Sequence, residues 1–213
     1  MPSSLIHLCI AEKVINKIPV NKDEFFYGNI LPDYLAVKDY KKKAKLHFYE
    51  KIIVNDITKD NVNIQSFLNT YKDELKDSVS LGIYSHFIAD NMWIENFIKL
   101  HLIKQDEKIY IKTKRGLIRN NRITVYNDYD RMANWIVNKY NLSKDFIKDV
   151  NYNGFFSNIY DLPKDDIYNK MDEYMSKVRL EEMEVFTKEE IDEFINKASI
   201  EVEKRLRQIE IKE

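Results

Sequence analysis

The sequence predicts an all-α protein, a compact multi-helix bundle folded as one domain over 1–213. Three observations carry this expectation. Glycine and proline number four each, few for a turn-rich β chain. Apolar residues recur at helical spacing along most of the chain. The run 79–102 is apolar nearly all round, through Val79, Leu81, Ile83, Tyr84, Phe87, Ile88, Met92, Trp93, Ile94, Phe97, Ile98 and Leu100. That is the pattern of a helix buried at the centre of a bundle. With 44% hydrophobic residues, the chain has enough apolar surface to build a core around it.

The elements follow in order. Ser3 or Ser4 can cap a first helix reaching about 17, with Leu5, Leu8, Cys9, Val14 and Ile15 inward and His7 in its first turn. At 25–33, Gly28 and Pro32 read as a turn or short irregular connection, unusually apolar and therefore buried. Asp33 either caps the next segment or points into the core. The lysines at 41–43 read as a solvated stretch, and Leu46-His47-Phe48 then returns to apolar residues. An amphipathic helix is expected at 61–76 through Ile64, Phe67, Leu68, Tyr71 and Leu75. Ser78 is expected to cap the central helix, which runs to about 104. At 108–126, Ile109, Ile111, Ile118, Ile123 and Val125 alternate loosely with polar residues, as a small β-hairpin or an irregular excursion. Helical periodicity resumes at 130–140. Ser143 opens a short helix to 150, and 151–163 reads as an aromatic-rich loop. A helix at 164–180 is expected to turn Ile167, Met171, Tyr174, Met175 and Val178 inward. Thr187 and Glu190 form a capping box opening the last helix, to about 207.

Charge and composition exclude several function classes. Lys plus Arg total 34 and Asp plus Glu total 35, so bulk charge predicts no nucleic-acid binding. A single cysteine, Cys9, rules out an internal disulfide framework and fits a reducing compartment. The first residues lack a basic segment followed by an uninterrupted apolar one, so no signal peptide is expected. The longest apolar run carries His86, Asp90 and Glu95, so no transmembrane segment is expected. A cytoplasmic location is the resulting expectation.

The chemistry-bearing feature is the spacing of His86 and Asp90. Four residues apart on a helix, they share one face, one turn apart. A carboxylate in a buried helix must be paired or must coordinate a metal. A simple His–Asp pair answers that need. The further inward candidates His7, Asp33 and His47 add two imidazoles and a carboxylate from distant segments. Three imidazoles and two carboxylates suit zinc or a similar borderline cation, Mn, Fe or Ni included. His101 lies fifteen residues after His86, about four turns and roughly 20 Å along one helix. It is too far to share an ion and is assigned to the surface or a helix end.

The order of these motifs resembles a family. His7 after Met-Pro-Ser-Ser-Leu-Ile, then Gly-Asn-Ile-Leu-Pro-Asp33, Leu-His47-Phe and Leu-Gly-Ile-Tyr-Ser-His86-Phe-Ile-Ala-Asp90 is similar to the zinc-dependent phospholipase C family. The short intracellular bacterial branch, described as phospholipase C-like hydrolases, is the more similar. Trp93 after Asp90 also suits that branch. The likeness covers about 1–100. It implies an all-α bundle of the phospholipase C and single-strand nuclease type. Asp33, His47, His86 and Asp90 would hold one zinc, and His7 with Asp90 a second, Asp90 bridging. Asp33 would also be the general base. This chain departs from the secreted enzymes in its Met-Pro terminus, where they present a processed Trp amine. It also lacks a clear match to their downstream His and Glu ligands. One or two ions are therefore expected rather than three.

The expected activity is metal-dependent hydrolysis of a phosphoester, with a metal-activated water. The expected substrate is a small phosphoester or lipid-like molecule, and lysines or arginines from 112–122 would clamp its phosphate. The alternative is a non-catalytic helical protein holding a structural metal site or a buried polar network. A His-Asp phosphohydrolase of the other helical type is set aside, because no His-Asp dipeptide occurs.

Overall fold

The computed structural model describes residues 1–35, 44–119, 122–160 and 164–209, without the side chains of Leu35 and Arg122. The expected lysine stretch at 41–43 lies outside these residues, as does the end of the loop at 161–163. The fold is mostly helical, with two small antiparallel sheets, where the all-α expectation allows only one small β-hairpin, at 108–126.

Helix α1 spans Ser4–Val14, and a 3₁₀ turn carries it on through Ile15–Lys17. Eight of its eleven residues are buried, because it packs against four other helices. Helix α2, Lys22–Leu35, contains both Gly28 and Pro32. This corrects the expectation of a turn there. Gly28 serves close approach: a Cβ on it would lie 2.1 Å from the Val79 carbonyl oxygen. Pro32 removes one N–H late in the helix, a cost the surrounding packing bears.

Strands β1, Tyr49–Val54, and β2, Ile57–Val62, form a hairpin through a turn in which Asn55 and Asp56 take positive φ. Helix α3 therefore starts later than expected, at Ile64–Tyr71, where the Asn63 side chain accepts from the Ser66 N–H at 2.8 Å. Residues 61 and 62 belong to the hairpin instead.

The central helix α4 is Ser78–Met92, buried continuously from Val79 to Asp90. Its cap is Asp77, not Ser78. The Asp77 carboxylate accepts from the Ser80 N–H at 2.7 Å, and the Ser80 hydroxyl accepts from the Asp77 N–H at 3.1 Å. The Ser78 hydroxyl instead accepts from the Asn21 N–H and ties down the entry to α2. The helix does not run to 104. It widens into a π turn, Trp93–Phe97, tightens into a 3₁₀ turn, Ile98–His101, and becomes strand β3. Trp93 packs there among Phe97, Phe186 and Phe194.

Strands β3, Leu102–Gln105, β4, Lys108–Thr113, and β5, Gly116–Arg119, make a three-stranded meander. The strand expectation at 108–126 is thus met over part of its length. The rest belongs to α5, Arg122–Tyr140, which begins earlier than expected. Short helix α6, Phe146–Asp149, follows. Helix α7, Lys164–Met175, stops before Val178, which is exposed rather than inward. Helix α8, Lys188–Leu206, opens on the expected capping box of Thr187 and Glu190. None of the described helices is long and apolar enough to cross a membrane.

Candidate metal centre

The centre lies where α1, α2 and α4 meet, beside the turn that enters β1. Helix α1 contributes His7 from a face whose neighbours Leu5, Ile6, Leu8 and Cys9 are fully buried. Helix α4 contributes His86 and Asp90, one turn apart as the spacing predicts. His47 precedes β1, and Asp33 sits in the last turn of α2. His7, His47, His86 and Asp90 are completely buried, and Asp33 is half-buried. Asp33 lies inside α2, and the segment it would cap lies outside the described residues.

All five predicted residues converge. Ligating atoms of His7, His86 and Asp90 lie within 4.8 Å of one another, as do those of Asp33, His47 and His86, so His86 belongs to both groups. Each oxygen of Asp90 faces a different ring: Oδ1 is 3.4 Å from His7 Nε2, and Oδ2 is 3.2 Å from His86 Nε2. The two imidazoles stack, with centroids 3.9 Å apart and planes 16° from parallel. The His47 ring stands nearly perpendicular to His86 at 5.6 Å.

The other nitrogen of His86 is fixed. Its Nδ1 is 2.8 Å from the Asn29 carbonyl oxygen. A carbonyl only accepts, so Nδ1 carries the proton and the Nε2 lone pair faces the cluster. Asn29 is held in turn: its Nδ2 donates to the Phe25 carbonyl, and its Oδ1 accepts from the Ser85 hydroxyl at 2.9 Å. This supporting shell was not foreseen from the sequence. The signal available was the polar pair Asn29 and Ser85 on two otherwise apolar helices.

Electrostatics separates the two stacked rings. Burial and the neighbouring His86 push the His7 imidazole below its ordinary value, against the pull of Asp90. Burial opposes charge on His86 as well. There the negative charges of Asp90 and Asp33 and the Asn29 carbonyl outweigh it, and the pKa rises. For Asp90, burial works against ionisation, but His86 and His7 overcome it and hold the carboxyl well below the carboxylate range.

The residues fit a cation. Nε2 of His86, both nitrogens of His7 and both oxygens of Asp90 are buried without a hydrogen bond of acceptable geometry. Buried polar atoms are otherwise almost always satisfied. His7 Nε2 and His86 Nε2 both face the Asp90 carboxylate, and imidazole nitrogen with carboxylate oxygen suits a borderline divalent ion. The Asn29 carbonyl behind His86 is the supporting contact such ligands usually have.

Beside the centre lies a cleft of about 720 Å³. Among the described residues, Asp33 is the one member of the five that lines it, and the Ser4 hydroxyl donates to Asp33 Oδ2 at 3.2 Å. One wall is apolar, from Trp93, Ile94, Ile98, Leu102 and Ile111. Its charged residues are Lys59, Lys170 and Lys177 with the carboxylates Asp33, Asp60, Asp130 and Glu173, and Lys177 pairs with Asp130 at 3.0 Å. Among the described residues, Lys112, Lys114, Arg115 and Arg119 from the expected 112–122 phosphate clamp do not line this cleft, and the Arg122 side chain lies outside the described residues. His101 stays apart from the cluster and ends the 3₁₀ turn Ile98–His101, the helix-end alternative, but it is buried, 3.9 Å from the Glu190 carboxylate.

Fold and site together define a mostly helical protein with a buried His/Asp cluster of metal-ligand type. Compared with protein-family models, curated proteins and solved structures, the chain matches none.

Proposed function

We propose that the protein is a metal-dependent hydrolase of a small phosphoester, related to the zinc-dependent phospholipases C that its first hundred residues resemble. The observation that carries this reading is the convergence of His7, Asp33, His47, His86 and Asp90, with Asp33 opening onto the cleft. His86, His47, Asp33 and Asp90 would hold one divalent ion, and His7 with Asp90 a second. Such ions supply Lewis-acid chemistry: they acidify water to a pKa of about 7 and offset charge growing on a phosphoryl oxygen. The chain's own residues do the rest. His86 presents Nε2 because Asn29 holds Nδ1–H. Asp33, oriented by Ser4, is placed to accept a proton from water entering from the cleft. The apolar wall excludes water from the rest of the substrate, and Lys170 at the rim of the cleft is placed to complement its phosphate.

One observation favours a structural metal site instead. His7, His47, His86 and Asp90 are fully buried and do not line the cleft, so an ion held by them alone would serve stability. The test is elemental analysis of protein prepared without added metal, with turnover of a generic phosphodiester before and after chelation. Bound Zn, Mn, Fe or Ni, and turnover lost in His86→Ala together with the metal, support the hydrolase. A chelation-sensitive melting temperature without turnover supports the structural site. Metal retained in His86→Ala sinks both.

A further inference from the structure

The β3–β5 meander has one face that the centre does not use. Side chains alternate across a strand, and the register sorts them. Leu102, Ile111 and Ile118 pair across the sheet and turn inward. Ile103, Tyr110 and Arg119 form the next row, on the opposite face, with Lys112 beside Leu117 and Lys108 beside Gln105. That outer face therefore carries three cations, two aliphatic side chains, a tyrosine and a glutamine, and no acid. Its aliphatics are in solvent: Ile103 is 36% exposed and Leu117 45%. The turn at one end carries Lys114 and Arg115, which pair with Glu182 at 3.3 Å and Glu184 at 3.9 Å and so add no free charge to the face. Asp106 and Glu107 sit in the opposite turn, where Glu107 pairs with Lys104 at 3.2 Å. The neighbouring hairpin brings more apolar surface close by. The Asn55 side chain donates to the carbonyls of Lys99 and Leu102, so Ile53 and Leu100, 75% and 66% exposed, lie near the start of the sheet.

We propose that this outer face is a docking surface for an anionic lipid bilayer. Charge complementarity names the occupant. The protein as a whole has a formal charge of −1, so a face bearing only cations is a local feature rather than a consequence of bulk composition. Anionic leaflets attract such cations, and aliphatic side chains among them add burial in the headgroup region. Nucleic acid is the poorer fit. Sequence-tolerant binding of single strands relies on aromatic platforms, and this face offers Tyr110 alone beside aliphatics that cannot stack. The surface is independent of the proposed metal chemistry.

The test is co-sedimentation of the full chain with two kinds of vesicle: phosphatidylcholine alone, and phosphatidylcholine with phosphatidylserine. Both present phosphodiesters to the cleft, so a difference between them reports charge. Binding is expected on the anionic vesicles only, and to weaken as added salt shortens the screening length from about 10 Å at 0.1 M to about 3 Å at 1 M. Each cation near an anionic surface is worth roughly five-fold in partitioning, so Lys108→Glu with Lys112→Glu and Arg119→Glu should lose about hundred-fold or more. Ile103→Ser with Leu117→Ser should lose several-fold, and Lys197→Glu with Lys204→Glu on α8 nothing. Equal partitioning on both vesicles, none on either, or full binding by either face variant overturns the proposal. So does capture of a single-stranded oligonucleotide in place of vesicles. The wild-type comparison decides even where a variant misfolds.

Discussion

His7 and His86 lie face to face, 3.9 Å between ring centres, each turned to its own oxygen of Asp90. Two imidazolium ions cannot coexist at that separation in a buried site, so the shared carboxylate supports one proton, and the rings divide: His86 titrates above its ordinary value and His7 below. A cation placed among them takes the site of that proton.

Metal affinity should therefore fall on acidification, beginning above pH 6.5. The sign follows from competition. His86 must offer Nε2 as a lone pair, and its pKa lies above 6.5 without the ion, so protons compete before pH 6.5 is reached. His7 and Asp90, both shifted downward, do not compete until lower pH. Calorimetric titration of stripped protein with Zn²⁺ over pH 5.5 to 8 should show affinity rising with pH and levelling once His86 is neutral. An affinity independent of pH across that range would remove His86 from the ligand set.

Ser85→Ala tests the support behind His86. The Ser85 hydroxyl is the donor to Asn29 Oδ1, and its loss leaves that oxygen buried and unsatisfied at a cost of about 1–3 kcal/mol. The Asn29 carbonyl that orients His86 should loosen with it. Contacts of this kind are worth about 10–100-fold in metal affinity. A thermal melt and a Zn²⁺ titration on one preparation check both. Stability lost with affinity unchanged would show that Asn29 packs the helices without positioning the ligand.

Much of this site is written in local spacing, and the parts that are not have identifiable causes. The i, i+4 relation of His86 and Asp90 survives into the structure because a helix enforces it, and the capping box at Thr187 holds for the same reason. What failed was local inference overruled by packing. Gly28 and Pro32 imply a turn by propensity, yet α2 runs through both, because Gly28 answers to the backbone of α4 across the interface. The hairpin 49–62 pairs residues close in sequence through Asn55 and Asp56, but it is hidden from a sequence reading because burial follows no clean alternation in β1. The end of α4 shows the same limit. Apolar residues continue past Met92, but the bulk of Trp93 and Phe97 is packed by a π turn and a strand, which hydrophobicity alone does not distinguish from more helix.

The contact of α2 with α4 sets the geometry of the centre, and Gly82→Ala should break it. A Cβ at Gly82 would meet the Phe25 carbonyl oxygen at 2.3 Å and the Gly28 Cα at 2.9 Å. Both are backbone, so no rotamer relieves the overlap, and the helices must separate. Overpacking of this kind costs about 1–3 kcal/mol, and the backbone overlap puts Gly82→Ala at the upper end. Because the same interface brings Asn29 to His86, metal affinity should fall along with the urea midpoint. Gly116→Ala, with nothing within 4 Å of its added Cβ but a φ of 114°, should cost less and leave metal binding intact.

Asp128 ties α5 to the entry of α8 and is not one of the residues of the centre. Its carboxylate is fully buried in α5 and accepts from the N–H groups of Glu184, Val185 and Phe186, with Arg131 as its ion-pair partner at 3.0 Å. These bonds fix the approach to α8 and seat Phe186 against Trp93. Asp128→Ala strands three backbone donors and leaves Arg131, itself mostly buried, facing Glu184 alone at 3.5 Å. Breaking a buried pair of this kind costs about 3–5 kcal/mol, a large share of a typical domain's stability. Chemical denaturation should show that loss, while Zn²⁺ affinity below the transition stays at the wild-type value. A midpoint within experimental error of wild type would mean that packing of the aromatic cluster, rather than the Asp128 carboxylate, anchors the last helix.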